Sequence, residues 1–171
     1  MPKAPGTVDI QPIGWDELAA KLKDKELVHA ALNAGLKRAG KEILVPAVKD
    51  ASPVGATKNL RNKTVGQVLG TYEDMRLEVR QSAFNKNYPY GVGVRLGTRP
   101  HWPPYKALIP WVKAILNAPQ PERVAFLIAR KISKVGTKAN PYHEKVAQQK
   151  SGDVRRVMLE QMQKVFDEKF R

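Results

Sequence analysis

The sequence predicts an α+β fold, a small antiparallel β-sheet packed against several α-helices in a single domain spanning residues 1–171. Three observations carry this. Met75, Leu77 and Val79 alternate with Arg76, Glu78 and Arg80, the period-two pattern of a strand with one buried and one charged face. Beyond Pro104 the apolar residues recur every three or four positions, which makes residues 105–171 the helical part. A hydrophobic content of 42% over 171 residues is enough to build a real core.

Taken in order, Val8, Asp9 and Ile10 read as a short edge strand after two early prolines. Trp15, Leu18, Ala19 and Leu22 share one helical face, interrupted by Lys23-Asp24-Lys25. A longer helix is predicted over residues 26–49, with Leu27, Ala31, Ala34, Ala39, Ile43 and Ala47 along its apolar stripe. Pro46 has no backbone donor, so a kink or an early end is expected near Leu44. Ser52–Lys63 is polar and carries Pro53 and Gly55, which reads as a long loop or flexible hairpin arm. It lacks the glycine spacing and the Lys-Ser/Thr ending of a phosphate loop.

Thr64–Leu69 reads as a strand, residues 71–74 as a turn, residues 75–80 as a second strand and residues 83–88 as a loop. From Tyr88, Val92, Val94 and Leu96 alternate with Gly91, Gly93 and Arg95, predicting a further strand. Leu108, Val112, Ile115 and Leu116 then form one helical stripe, which tolerates Pro110 only in a first turn and is closed by Pro119 and Pro121. Over residues 123–135, Val124, Leu127, Ile128, Ile132 and Val135 are expected inward, Arg130, Lys131 and Lys134 outward, with Gly136 as the cap. Residues 136–149 suggest a turn and a short helix. Ser151 or Asp153 would cap a last helix burying Val154, Val157, Met158, Met162, Val165 and Phe166.

The strand from Tyr88 ends at Gly97-Thr98. Gly97 can take a positive φ, and Pro100, Pro103 and Pro104 forbid a ladder or helix directly after it. Between the prolines stand Arg99, His101 and Trp102, so this stiff, cationic, aromatic loop is built to present side chains to a partner. With Lys58, Arg61 and Lys63 of the arm and Arg95 of the strand, they form the candidate set for subunit-interface or DNA-passage contacts.

Charge is the most unusual total. Thirty Lys and Arg against sixteen Asp and Glu give +14, suited to polyanions or acidic protein surfaces. The absence of cysteine excludes disulfides and thiolate metal sites. No apolar run approaches the roughly 20 residues of a membrane span, and the first ten residues lack the apolar core of a signal peptide, so a soluble protein made in the cytoplasm is expected. His29, His101 and His143 fall in three different elements, and no nucleophile elbow, paired His ligands or glycine fingerprint is present. No enzyme activity, cofactor or metal is expected.

The order of parts resembles the neck or tail-completion (head-tail joining) proteins of long-tailed bacteriophages. Ile13-Gly14-Trp15-Asp16-Glu17-Leu18 with Lys21-Leu22 is similar to that family's opening helix, and Ala51-Ser52-Pro53 through Thr57 with Asn59-Leu60-Arg61 to its loop before the first long strand. Residues 90–101, ending Gly97-Thr98-Arg99-Pro100-His101, resemble its signature strand. Pro104, Leu108, Trp111, Val112, then Val124-Ala125-Phe126, Ile128-Ala129-Arg130 and Ile132 resemble a helical insertion of some members. Gly136-Thr137-Lys138-Ala139 with Asn140-Pro141-Tyr142 resembles the late turn into the final helix. Two positions depart: the family's glycine after Thr57 is Lys58, and its acidic residue near the end of the signature strand is Arg95, so a contact made by that acid does not carry over.

The resemblance implies a structural virion protein, a ring-forming subunit joining the capsid connector to the tail, made in the host cytoplasm. The ring is expected as a hexamer in preference to a dodecamer, with neighbouring connector and tail proteins as partners, non-specific contact with packaged DNA and no membrane. It supplies no catalytic residues. The alternative reading is a basic, non-sequence-specific nucleic-acid-binding protein, motivated by the +14 charge.

Overall fold

Asp24 opens the first long helix in a computed structural model of the chain, which describes residues 8–10, 24–71, 74–83, 90–169 and 171. The expected helix from Trp15 and most of the loop at 83–88 lie outside the described residues. The chain divides into two units: one made of Met1–Ala51, Thr64–Arg80 and His143–Arg171, the other of Ser52–Lys63 and Gln81–Tyr142. The small α+β fold expected from the sequence is present.

In the first unit, Asp24 Oδ1 accepts the Leu27 N–H at 2.9 Å and so caps α1, Lys25–Ala39. This helix buries Val28, Ala31, Leu32, Gly35, Leu36 and Ala39. The expected stripe is therefore corrected: Ala31 and Ala39 belong to it, while Leu27, Ala34, Ile43 and Ala47 are only half-buried. A neighbouring face carrying Val28, Leu32, Leu36, Leu44 and Val48 offers larger side chains, and burying them gains more than burying alanines.

The helix does not end near Leu44. Gly40–Leu44 forms a π-turn in which the Val45 N–H reaches the Gly40 carbonyl, and α2, Val45–Ala51, continues it. Pro46 cannot donate to the carbonyl four residues back and crowds it, so the distortion falls at the expected place as a widened turn.

The sheet has three strands in the order β1-β3-β2: β1 Val8–Ile10, β2 Thr64–Leu69 and β3 Arg76–Gln81. β1 runs antiparallel to β3, with Val8 opposite Val79 and Ile10 opposite Leu77. Met75, Leu77 and Val79 are buried and Arg80 is exposed, as the alternation requires. Between β2 and β3, Gly70 takes φ +87°, and the Thr71 N–H and hydroxyl donate to Asp74 Oδ1 at 2.6 and 3.1 Å.

After the expected turn, Tyr142–Lys169 is one helix of 28 residues, here α7, which corrects the expected division into a short helix and a separately capped last one. Ser151 Oγ donates to the Gln148 carbonyl and Asp153 accepts from Lys150 Nζ, so neither caps a helix. Both needs are met inside the helix, and its buried side, with Val146, Val154, Val157, Met158 and Met162, runs on past Gly152. A Cβ on Gly35 of α1 would lie 2.9 Å from the Met158 carbonyl oxygen, so glycine is what lets the two helices approach.

The second unit holds α3 Asn59–Asn62, α4 Tyr90–Leu96, α5 Tyr105–Trp111, a π-turn over Val112–Leu116 and α6 Pro121–Val135. Ser52–Lys63 is not a free arm. Ser52 and Leu60 are buried, Arg61 Nε donates to the Ser52 carbonyl at 3.1 Å, and Trp111 Nε1 donates to the Val54 carbonyl at 3.2 Å. Gln81 Nε2 donates to Ser52 Oγ, and the Tyr142 hydroxyl donates to Gln81 Oε1.

The strand expected from Tyr88 is a helix where it is described. Gly91 to Arg95 are all half-buried, so the Gly/Val alternation separates no faces. The Asn140 N–H bridges the Val94 and Arg95 carbonyls at 3.2 and 3.0 Å, satisfying acceptors that a helix end leaves open. Pro110 lies inside α5 rather than in its first turn, and the turn after it is widened, whereas at Pro46 the widened turn comes before the proline. Of the stripe expected there, Val112 is buried while Ile115 and Leu116 are exposed.

Candidate functional site

Two glycines create a tight crossing in the second unit. Gly97 and Gly136 take φ +75° and +73°, and the residues after them pair: Thr98 N–H to Thr137 O and Thr137 N–H to Thr98 O, each 3.2 Å, with their hydroxyls 2.9 Å apart. A Cβ on Gly97 would lie 2.5 Å from Thr137 O, and one on Gly136 would overlap the Thr98 carbonyl oxygen. Gly97 thus ends α4 and Gly136 ends α6, whose Ile132 carbonyl accepts the Gly136 N–H at 2.8 Å.

The crossing sets Arg99 to Pro104 against α6. The His101 N–H donates to the Ile132 carbonyl at 3.4 Å, and His101 Nδ1 donates to the Arg99 carbonyl at 2.9 Å. Trp102 meets Phe126 edge to face, with centroids 5.8 Å apart, and Tyr105 meets the same ring at 6.0 Å. Trp102 remains 54% exposed and Phe126 43%, so the loop does not fold its tryptophan into the core.

The seven candidate residues are all in this unit, with unequal freedom. Lys58, Lys63, Arg99, His101 and Trp102 are exposed. Arg61 is half-buried and braces the Ser52 carbonyl. Arg95 is half-buried in the last turn of α4. Lys58 takes φ +52°, the left-handed conformation that glycine adopts most freely.

The sequence reading missed what lies on α6. Ala125 and Ala129 are its buried residues, with Val124, Ile128 and Ile132 half-buried beside them. Leu127 and Val135, expected inward, are 50% and 66% exposed. Among the described residues, nine large apolar side chains are exposed, and seven belong to this unit: Leu96, Trp102, Ile115, Leu116, Phe126, Leu127 and Val135. Helical periodicity could have found the buried alanine face; the exposed one needed knowledge of which side is covered.

No protein-family model, curated protein or solved structure matches this chain. The family resemblance therefore rests on this chain's own residues. Among the described residues no three His, Cys, Asp or Glu side chains converge as a metal ion would require, and no helix is long and apolar enough to cross a membrane.

Charge divides unevenly between the units. Ser52–Lys63 and Gln81–Tyr142 contain thirteen Lys and Arg against the single acid Glu122, a net of +12. The other unit holds seventeen against fifteen, a net of +2, and its ion pairs include Arg38–Glu42, Arg156–Glu160 and Lys150–Asp153. Glu122 already faces Lys113 at 3.8 Å. Within the first unit, Lys37, Lys41 and Lys49 border a groove of about 620 Å³ between the first helices and β2.

Proposed function

We propose that this chain is a structural virion protein of a tailed bacteriophage, a ring-forming neck or tail-completion subunit between the capsid connector and the tail. The observation that carries the reading is the exposed Trp102–Phe126 pair, in a unit that holds seven of the nine exposed large apolar side chains among the described residues. Two large aromatic rings in contact and each about half exposed make an apolar spot of the kind that serves as an association surface. The resemblance of residues 13–22, 51–61, 90–101 and 136–142 to that family supplies the biological setting.

The charge partition supports a head-to-tail contact. Apposing two second units would bring +12 against +12, whereas fifteen of the sixteen acids lie in the first unit. An interface joining unlike surfaces closes into a ring when its rotation closes, and otherwise runs on as an open filament, while one joining like surfaces stops at a dimer. No reaction and no cofactor is assigned to the protein.

The test is sedimentation of the full chain and of Phe126→Glu. The unaltered chain is expected to assemble, and the variant to keep its helical circular dichroism while shifting toward single copies. A variant that assembles as well as the unaltered chain would remove this patch from the interface.

A further inference from the structure

The side of α6 opposite its alanine face carries more than apolar residues. At about 100° per residue, Arg123, Leu127, Arg130, Lys131 and Lys134 fall within about a quarter of the helix circumference. All five are exposed. Arg123 and Lys134 are about 16 Å apart along the axis at 1.5 Å per residue. The four cations therefore share one exposed side of one rigid element, Arg123 near its start and Arg130, Lys131 and Lys134 grouped toward its end, with Phe126 and Trp102 along one border. The only acid in the unit, Glu122, is paired with Lys113.

From this row we infer that α6 binds the phosphate backbone of duplex DNA without reading its sequence, through Arg123, Arg130, Lys131 and Lys134. The choice of duplex DNA rests on the proposed place of the protein in a virion neck, where DNA passes. The polyanion itself is argued from charge complementarity. A unit with thirteen cations and one acid repels itself, and a row of phosphates neutralises such a surface along its length. An acidic protein surface would place its carboxylates less regularly. The row is built of Arg and Lys, which neutralise phosphates at any register along a duplex, and it carries no Asn or Gln to select an adenine, so the inference places its contacts on the backbone.

The unaltered full chain is tested first, by acetylation footprinting with and without a short duplex. Lys131 and Lys134 should be shielded by DNA, and Lys145 and Lys169 of α7 should not. Binding is then measured at several salt concentrations for R123Q/R130Q/K131Q/K134Q and for the charge-matched control K25Q/K145Q/R155Q/K169Q. Four lost phosphate contacts should lower the slope of log affinity against log salt by about 3–4, because each contributes about 0.9. The control should keep most of its slope, and two unrelated duplexes should bind alike.

Equal losses in the two variants, no shielding of Lys131 and Lys134, preference for one duplex, tighter binding of single strands, or displacement of the duplex by an acidic polypeptide at equal charge would each overturn the inference. Sedimentation of the same samples separates the two proposals. A single-copy protein that still shields Lys131 and Lys134 refutes the ring alone; a ring indifferent to DNA refutes this surface alone.

Discussion

Gly97 shows how one residue positions a surface. Its φ of +75° is a region that side chains rarely adopt, and any Cβ would meet the Thr137 carbonyl oxygen. Gly97→Val should cost at least about 1–3 kcal/mol of stability from backbone strain. Chemical denaturation checks this, and an unchanged midpoint would mean that the crossing with Gly136 relaxes freely. Asp74 gives a second test. Its carboxyl is held below its ordinary 3.8, first by the Thr71 backbone N–H, then by the Thr71 hydroxyl, with a smaller contribution from Arg76. Because the folded value is the lower one, the turn's stabilisation is complete above the unfolded value and disappears as pH falls through the folded one. A side-chain NMR titration of Asp74 should give a midpoint below 3.8. Thr71→Val should raise it only part of the way, since the backbone donor remains. At this scale the sequence allowed Gly97 a positive φ ahead of its prolines, although the element it ends is a helix and not the expected strand. A lysine by itself gives no sign of being held at φ +52°; the only hint at Lys58 was that the resembled family has glycine there.

At the scale of elements, legibility followed how much burial each pattern commands. The β3 alternation was readable because Met75, Leu77 and Val79 are buried against charged neighbours. The alternation over residues 90–96 was misleading because glycine carries no side chain to declare a face, and capping by Asn140 decided for helix. Ser151-Gly152-Asp153 looked like a helix boundary, yet the apolar side of α7 continues through it. That gives a prediction: a Cβ on Gly152 meets nothing within 4 Å, so Gly152→Ala should stabilise the protein by about 0.5–1 kcal/mol, read as a raised melting temperature. No gain, or a loss, would mean that the middle of α7 is not continuous helix. The prolines were legible as distortions but not in kind, since whether a helix stops or widens into a π-turn depends on what is buried beyond it. Val48 and Val112 lie just past Pro46 and Pro110, and both are fully buried.

For the whole molecule, the sequence total of +14 announced a polyanion or an acidic partner but could not say where the charge lies. The fold assigns +12 of it to one unit, which also holds most of the exposed large apolar side chains among the described residues. The three on α6, Phe126, Leu127 and Val135, were hidden from sequence reading because that helix has apolar residues on two sides, and only packing reveals that small alanines take the inner one. The proposed ring around DNA would give the Trp102–Phe126 pair a neighbour and the cations a counter-charge. The most direct measurement is electron-microscopic imaging of the purified full chain at micromolar concentration and moderate salt, with class averages sorted by rotational symmetry. Closed rings of one symmetry, sixfold in the first instance, are the expected result. Single copies or two-fold pairs throughout the concentration range, with no closed ring, would contradict it.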